Sequence, residues 1–324
     1  MLSRVADSIY WMSRYIERAE NVARFIDVNL NLMLDRPIGY EDQWDPLVNT
    51  TGDQENFEKH YGEASRENVI QFLTLDATNP NSILSCVRAA RENARSIREV
   101  ISSEMWEQIN RFYLMVNEEA ALGWSIEELH DFYGEIKLAS HLFAGITDST
   151  LSHNEAWNFC GLGRMLERAD KTTRILDVKY FILLPDVDEV GSPYDDIQWA
   201  SVLRSASALE MYRKTYGRLS PASIVEFLLL DPQFPRAVHY CLNTADECLH
   251  AIAGSPIGSF RNLAEQRLGQ VRAELAYAQV TEIISNGLHE FLDGLQSKFN
   301  YLGEGIHDTF FATRPVPTLL AQRV

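Results

Sequence analysis

The chain has 324 residues, with 29 Lys and Arg against 46 Asp and Glu, so its formal charge is −17 at neutral pH. That charge repels a phosphate backbone or an anionic lipid surface, which argues against nucleic-acid binding and membrane association. A hydrophobic fraction of 46% beside 23% charged residues excludes a chain disordered from end to end.

The opening, Met1-Leu-Ser-Arg-Val-Ala-Asp7, has no basic head followed by an apolar run of secretory length. The most apolar stretches, at 180–184 and 227–230, fall far short of the roughly 20 residues that cross a bilayer. Cys86, Cys160, Cys241 and Cys248 form no C-x-x-C pair, so neither a disulfide framework nor a zinc ribbon is expected, and a reducing cytoplasm is the simplest location. Nothing in the residues asks for a cofactor.

From residue 3 to 34 the sequence contains no Gly or Pro and follows a helical period. On a helical wheel Trp11, Met12, Tyr15, Ile16, Ala19, Val22, Ala23 and Ile26 form a broad apolar face. Glu17, Glu20, Arg24 and Asp27 gather elsewhere, with Arg14 and Arg18 on a flank. Further helices are predicted over 42–61, 65–75, 81–101, 104–121 and 125–147, and no segment reads as a strand, so the fold class is all-α. Between two of them, Asp76-Ala-Thr-Asn-Pro-Asn-Ser82 supplies turn and capping residues around Pro80. Ile83, Val87, Ala90, Ala94, Ile97 and Ile101 then share one helix face. Further on, Cys160-Gly-Leu-Gly-Arg164 has no strand before it, which makes it a poor phosphate loop and a better site of close helix packing. Trp44, Trp199, Phe72 and Phe227 read as core.

The chain also matches itself. Arg14 to Val28 aligns with Arg164 to Val178 at an offset of 150, with seven of fifteen positions identical, Glu17/Glu167, Arg18/Arg168 and Asp27/Asp177 among them. At an offset of 155, Tyr61, Phe72, Asp76, Pro80 and Cys86 align with Tyr216, Phe227, Asp231, Pro235 and Cys241, and His130 aligns with His289 further on. Collinear matches predict a duplicated helical bundle of two packed, pseudo-symmetric halves, 1–152 and 153–312, followed by a Pro-containing tail at 313–324. The charged positions recur between the halves, whereas neighbours such as Asn21 and Lys171 differ.

The opening from Met1 to Asn21, the run Ala90-Arg-Glu-Asn-Ala-Arg95, Trp106 with Asn110, and Gly163-Arg-Met-Leu-Glu-Arg-Ala-Asp170 resemble the bacterial alpha-E domain proteins over nearly the whole chain. Members of that family typically accompany, or are fused to, a circularly permuted ATP-grasp ligase. The resemblance therefore implies an accessory role in ATP-dependent peptide ligation or modification. It implies an ATP-grasp-type ligase as partner and a peptide or amino acid as ligand.

The residues leave several readings of chemistry open. Glu17 and Glu20 are candidate catalytic groups acting on a carboxylate or amide. Arg14, Arg18, Arg91, Arg95 and Arg98 are candidate substrate-binding residues, with Arg164, Glu167, Arg168 and Asp170 as second-half equivalents. Arg91 and Arg95 occur only in the first half, so a single site is expected in a groove between the Arg14 and Arg91 helices. Structural readings stand beside it: helical i,i+4 pairs on a solvated face, such as Glu20 with Arg24, or buried clamps between the halves. Glu127-x-x-His130 and Glu247-x-x-His250 have the spacing of a di-iron bundle but fall at non-equivalent places in the two halves, so no metal site is expected.

Overall fold

The computed structural model describes residues 1–34, 44–119, 126–183 and 193–312. The tail at 313–324, the ends of the predicted helices at 42–43, 120–121 and 125, and residue 184 lie outside the described residues. All regular structure among the described residues is helical, and none of these helices is long and apolar enough to cross a membrane.

Two long helices form the centre. Helix α1 (Ser3–Leu34) lies against α8 (Glu155–Leu183), and glycine makes the approach close. A Cβ at Gly163 would overlap the Tyr10 carbonyl oxygen, and one at Gly161 would come within 2.8 Å of Cys248 Sγ. The Gly-x-Gly run is thus a packing device.

Between α1 and α8 come α2 (Asp45–Thr51), α3 (Gln54–Tyr61), α4 (Arg66–Thr74), α5 (Ile83–Ser96), α6 (Ser103–Glu119) and α7 (Ile126–Thr150). After α8 follow α9 (Pro193–Ser205), α10 (Leu209–Tyr216), α11 (Pro221–Leu230), α12 (Val238–Ala253), α13 (Leu263–Tyr277), α14 (Val280–Asn286) and α15 (Leu288–Ile306), which runs into a π-helical turn (His307–Phe311). Helix α1 packs on α5 and α7, with α6 joining those two. Likewise α8 packs on α12 and α15, with α13 between them. The short helices cross over, α2 touching α8 and α9 touching α1.

Two predicted helices are shorter than their periodicity suggested. The 42–61 segment breaks into α2 and α3 because Gly52 takes φ +78°, a left-handed conformation that ends α2. The 81–101 segment stops at Ser96, yet Ile97 and Ile101 remain buried in a turn, so the apolar seam outlasts its helix. Elsewhere local chemistry sets the boundaries. Ser65 and Ser82 accept hydrogen bonds from the amides of Asn68 and Ser85 at 3.3 and 3.1 Å as N-caps. Asp76 accepts from the Thr78 amide at 2.7 Å and from the Tyr61 hydroxyl at 2.9 Å. Asp231 accepts from the amides of Gln233 and Phe234 at 2.8 and 2.7 Å.

One apolar core runs through the molecule, and Trp44, Trp199, Phe72 and Phe227 are buried in it. Phe57, Tyr61 and Phe72 make an aromatic cluster with ring centroids 5.1–5.6 Å apart, and Tyr212, Tyr216 and Phe227 make another at 5.1–6.0 Å.

Candidate functional site

Packing α1 against α8 buries the charged positions that the wheel set apart from the apolar face. Glu17, Glu20 and Glu167 are at most 3% exposed, so the solvated-face reading is corrected: this face meets another helix. The pairing is crossed. Arg18 donates to Glu167 through Nε at 2.7 Å and Nη2 at 3.0 Å, and Arg168 donates to Glu17 through the same two atoms at 2.8 and 2.9 Å. Each guanidinium fork holds the carboxylate of the opposite helix, which fixes rotation and register together.

Around these pairs lie further cations. Arg14 Nε donates to Glu167 at 2.8 Å, while the Arg14 guanidinium stacks over Trp11 at 4.9 Å. On the other side Arg236, from the turn before α12, donates through Nη2 to both oxygens of Glu20 at 2.8 and 2.9 Å, and through Nη1 to Glu17 and Asn21 at 3.3 Å. Arg24 also pairs with Glu20. Burial pushes all three carboxyls up, but the arginines outweigh it. Arg18 and Arg14 hold Glu167 well below its ordinary value, Arg236 and Arg24 do the same to Glu20, and Arg168 and Arg236 keep Glu17 low. The oxygens of Glu17 and Glu20 accept from arginines.

Two grooves flank the crossed pairs at positions related by the sequence repeat. One is nearly closed, with about 30 Å³ of space beside Glu17, His141, Arg164 and Arg168. Here Arg164 Nε has no partner among the described residues. The other is an open cleft of about 480 Å³ between α1, α8 and the end of α15. Arg14, Arg18, Lys171 and Arg174 line it with Asp170, Asn81 and Glu304, and Tyr10, Trp11, Phe299 and Phe311 supply apolar wall. Its volume is that of a small-molecule site.

The two sides differ in their walls, Tyr10 and Trp11 of the open cleft aligning with Cys160 and Gly161 of the closed groove, and in the anchor of one cation. Arg236 aligns with Asn81, and Asn21 aligns with Lys171. On the side of the closed groove the extra cation, Arg236, comes from the loop before α12 and donates to Glu17, Glu20 and Asn21 without lining the groove. In the open cleft it is Lys171, on α8 itself. Asn81 there only accepts from Arg18 Nη1 at 2.6 Å and donates to Asp53 at 2.9 Å. Lys171 is 5% exposed, and its ammonium lies 3.4 Å from Asp170 and 3.8 Å from Glu167 without a hydrogen bond among the described residues. Burial pushes its amine below the ordinary value, with Asp170 and Glu167 pulling the other way.

The structure does not bring the Arg91 cluster to Glu17. Arg91 Nε donates to Asn110 at 2.8 Å and its guanidinium stacks on Tyr113 and Trp106 at 5.0 and 5.6 Å. Arg95 pairs with Glu92, and Arg98 stacks over Trp106 at 4.9 Å. The expected groove between the Arg14 and Arg91 helices is therefore replaced by the cleft beside α15, because α5 turns these arginines toward α6. Lys171, Arg174, Asn81 and Arg236 were missed. For Lys171, Asn81 and Arg236 the signal was the mismatch at two repeat positions, which sequence comparison alone reads as drift, whereas Arg174 matches Arg24.

The Glu-x-x-His runs do not converge. His130 pairs with Asp27, which also binds Lys137 at 2.5 Å, while His250 lies 2.8 Å from Ser255 and 3.5 Å from Asp246. The Glu127 side chain lies outside the described residues. Among the described residues no three His, Cys, Asp or Glu side chains are grouped to hold a metal. All four cysteines are buried, and burial raises their thiols to about 11 or 12, unsuited to thiolate chemistry.

A family model described as a predicted alpha-helical domain with a conserved ER motif matches residues 1–311. Uncharacterised proteins of Mycobacterium bovis and of two Mycobacterium tuberculosis strains are each 24% identical over 329 aligned residues, covering 94% of this chain and 35% of the relative. The chain thus spans about a third of the length of these relatives. No solved structure matches.

Proposed function

The chain belongs to the Alpha-E family, and from that premise we propose that it is a ligand-holding module that serves an ATP-grasp-type ligase in peptide synthesis or modification. The observation that carries the binding role is the open cleft, where four cations and an aromatic wall meet beside the crossed Glu-Arg pairs. Guanidinium and ammonium groups recognise the carboxylate that such a ligase activates or has just joined. The ligase partnership comes from the family resemblance. Consistent with it, the mycobacterial relatives carry this region within a much longer chain.

The family's conserved ER motif corresponds, in our proposal, to Glu17-Arg18 and Glu167-Arg168. Their part is to lock α1 on α8 and so shape the cleft. We also propose that 1–152 and 153–312 are duplicated halves related by a pseudo-twofold axis between α1 and α8. The crossed pairs support it, as do the two aromatic clusters and the pairing of His130 with Asp27 and of His289 with Asp177.

Co-purification with an ATP-grasp ligase of the same organism, followed by ADP release and product mass spectrometry, tests the function. Product should form only when both proteins are present, and Asn300→Trp at the cleft mouth should suppress it. Turnover by this chain alone, or full ligase activity without it, would overturn the proposal.

A further inference from the structure

Four cations line the cleft, and with Arg267, which pairs with Glu304 at 3.8 Å, they stand against three carboxylates, Glu167, Asp170 and Glu304, a surplus of two positive charges. A buried ammonium has three donors to satisfy, and Lys171 satisfies none with a hydrogen bond among the described residues. On the repeat-related side Arg236 donates hydrogen bonds to Glu17, Glu20 and Asn21. Lys171, by contrast, is held among the described residues by ion pairs alone, at 3.4 Å to Asp170 and 3.8 Å to Glu167. Arg174, which also lines the cleft, stands beside it with Nε tied to Asp170 at 3.0 Å.

Resting on the binding role above, we infer that the cleft takes the C-terminal carboxylate of a peptide whose last residue is aromatic. Lys171 and Arg174 hold the carboxylate, and the ring lies against Phe299 and Phe311. The choice of a carboxylate over a phosphate rests on the ligase reading, since a carboxylate is the group such an enzyme activates or has just joined. The aromatic wall adds contact area at low conformational cost. Asn300, at the open mouth, is placed to meet the preceding peptide unit.

Titration calorimetry of the full chain tests this with N-acetylphenylalanine, its C-terminal amide, N-acetylglycine and phenyl phosphate. N-acetylphenylalanine should bind at least tenfold more tightly than each of the other three. Lys171→Met should cost tenfold or more while the helical circular dichroism is kept. If that variant fails to fold, Asn300→Trp, which alters no charge, should block the same ligand. Equal binding of the amide, or tighter binding of phenyl phosphate, would overturn the carboxylate assignment, and equal binding of N-acetylglycine would overturn the aromatic one. No binding at all would overturn both. Because these titrations need no ligase, a failure here leaves the ligase test intact. Binding without any ligase dependence would instead count against the function alone.

Discussion

Glu167 shows most directly how a single side chain can be indispensable without being reactive. It is fully buried between Arg14, Arg18 and Lys171. Removing one member of a buried ion cluster strands the others, a loss on the order of 3–5 kcal/mol. Glu167→Ala should therefore lower the urea midpoint by that equivalent, and Arg91→Ala, which removes a half-exposed stacked group, should cost far less. His289 gives a pH signature. Its hydrogen bond to Asp177, at 2.8 Å, raises the imidazole above its ordinary value against a smaller burial cost, while burial also raises the Asp177 carboxyl. A histidine raised in the folded state stabilises fully below about pH 6.5, the unfolded value, and loses that contribution as pH rises through the folded one. NMR titration should place the His289 midpoint above 6.5, and Asp177→Asn should bring it back down.

At the scale of elements, boundaries and contacts respond to different changes. Asp76→Ala removes the acceptor for the Thr78 amide and the Tyr61 hydroxyl and should cost about 1 kcal/mol, with the cleft untouched. Gly163→Ala sets a methyl against the Tyr10 backbone and should cost about 1–3 kcal/mol, pushing α8 off α1 and weakening the cleft as well. Chemical denaturation of the two variants, set beside ligand binding, separates the effects. Helix α1 was legible because uninterrupted periodicity is a local signal. The break at Gly52 was less so, since a glycine inside a polar run reads as either helix or turn until φ is known. The Glu and Arg positions were picked out as important from their recurrence. Which of them would meet was hidden, because the crossed pairs join residues about 150 apart and depend on how α1 and α8 turn toward each other.

For the whole molecule, Glu17 with Arg168 and Arg18 with Glu167 is the contact pattern of an isologous interface, where residue i of one unit meets j of the other and the reverse. On the proposed two-half reading, Glu17 and Glu167 each take an arginine fork from the other half. Separately produced fragments 1–152 and 153–312 should remain largely unfolded or aggregate alone and regain native helicity when mixed one to one. Circular dichroism and size-exclusion chromatography would check this, and a fragment that folds cooperatively as a monomer would count against it. The cleft's location belongs to this scale too. It depends on the π-helical turn after α15 lying beside α1, a contact that no local pattern in either segment announces.

The exchange of Lys171 for Asn21 and of Asn81 for Arg236 sets one positive charge on a helix in one place and on a loop in the other. Asn21→Lys combined with Arg236→Asn conserves net charge and moves that second cation onto α1, while Cys160 and Gly161 still stand where the open cleft has Tyr10 and Trp11. Neither substituted position lines the open cleft, so one equivalent of ligand should still bind there. Stoichiometry by calorimetry would check that, and a second equivalent would show that the anchor of one cation, with no aromatic wall, is enough to make a second berth.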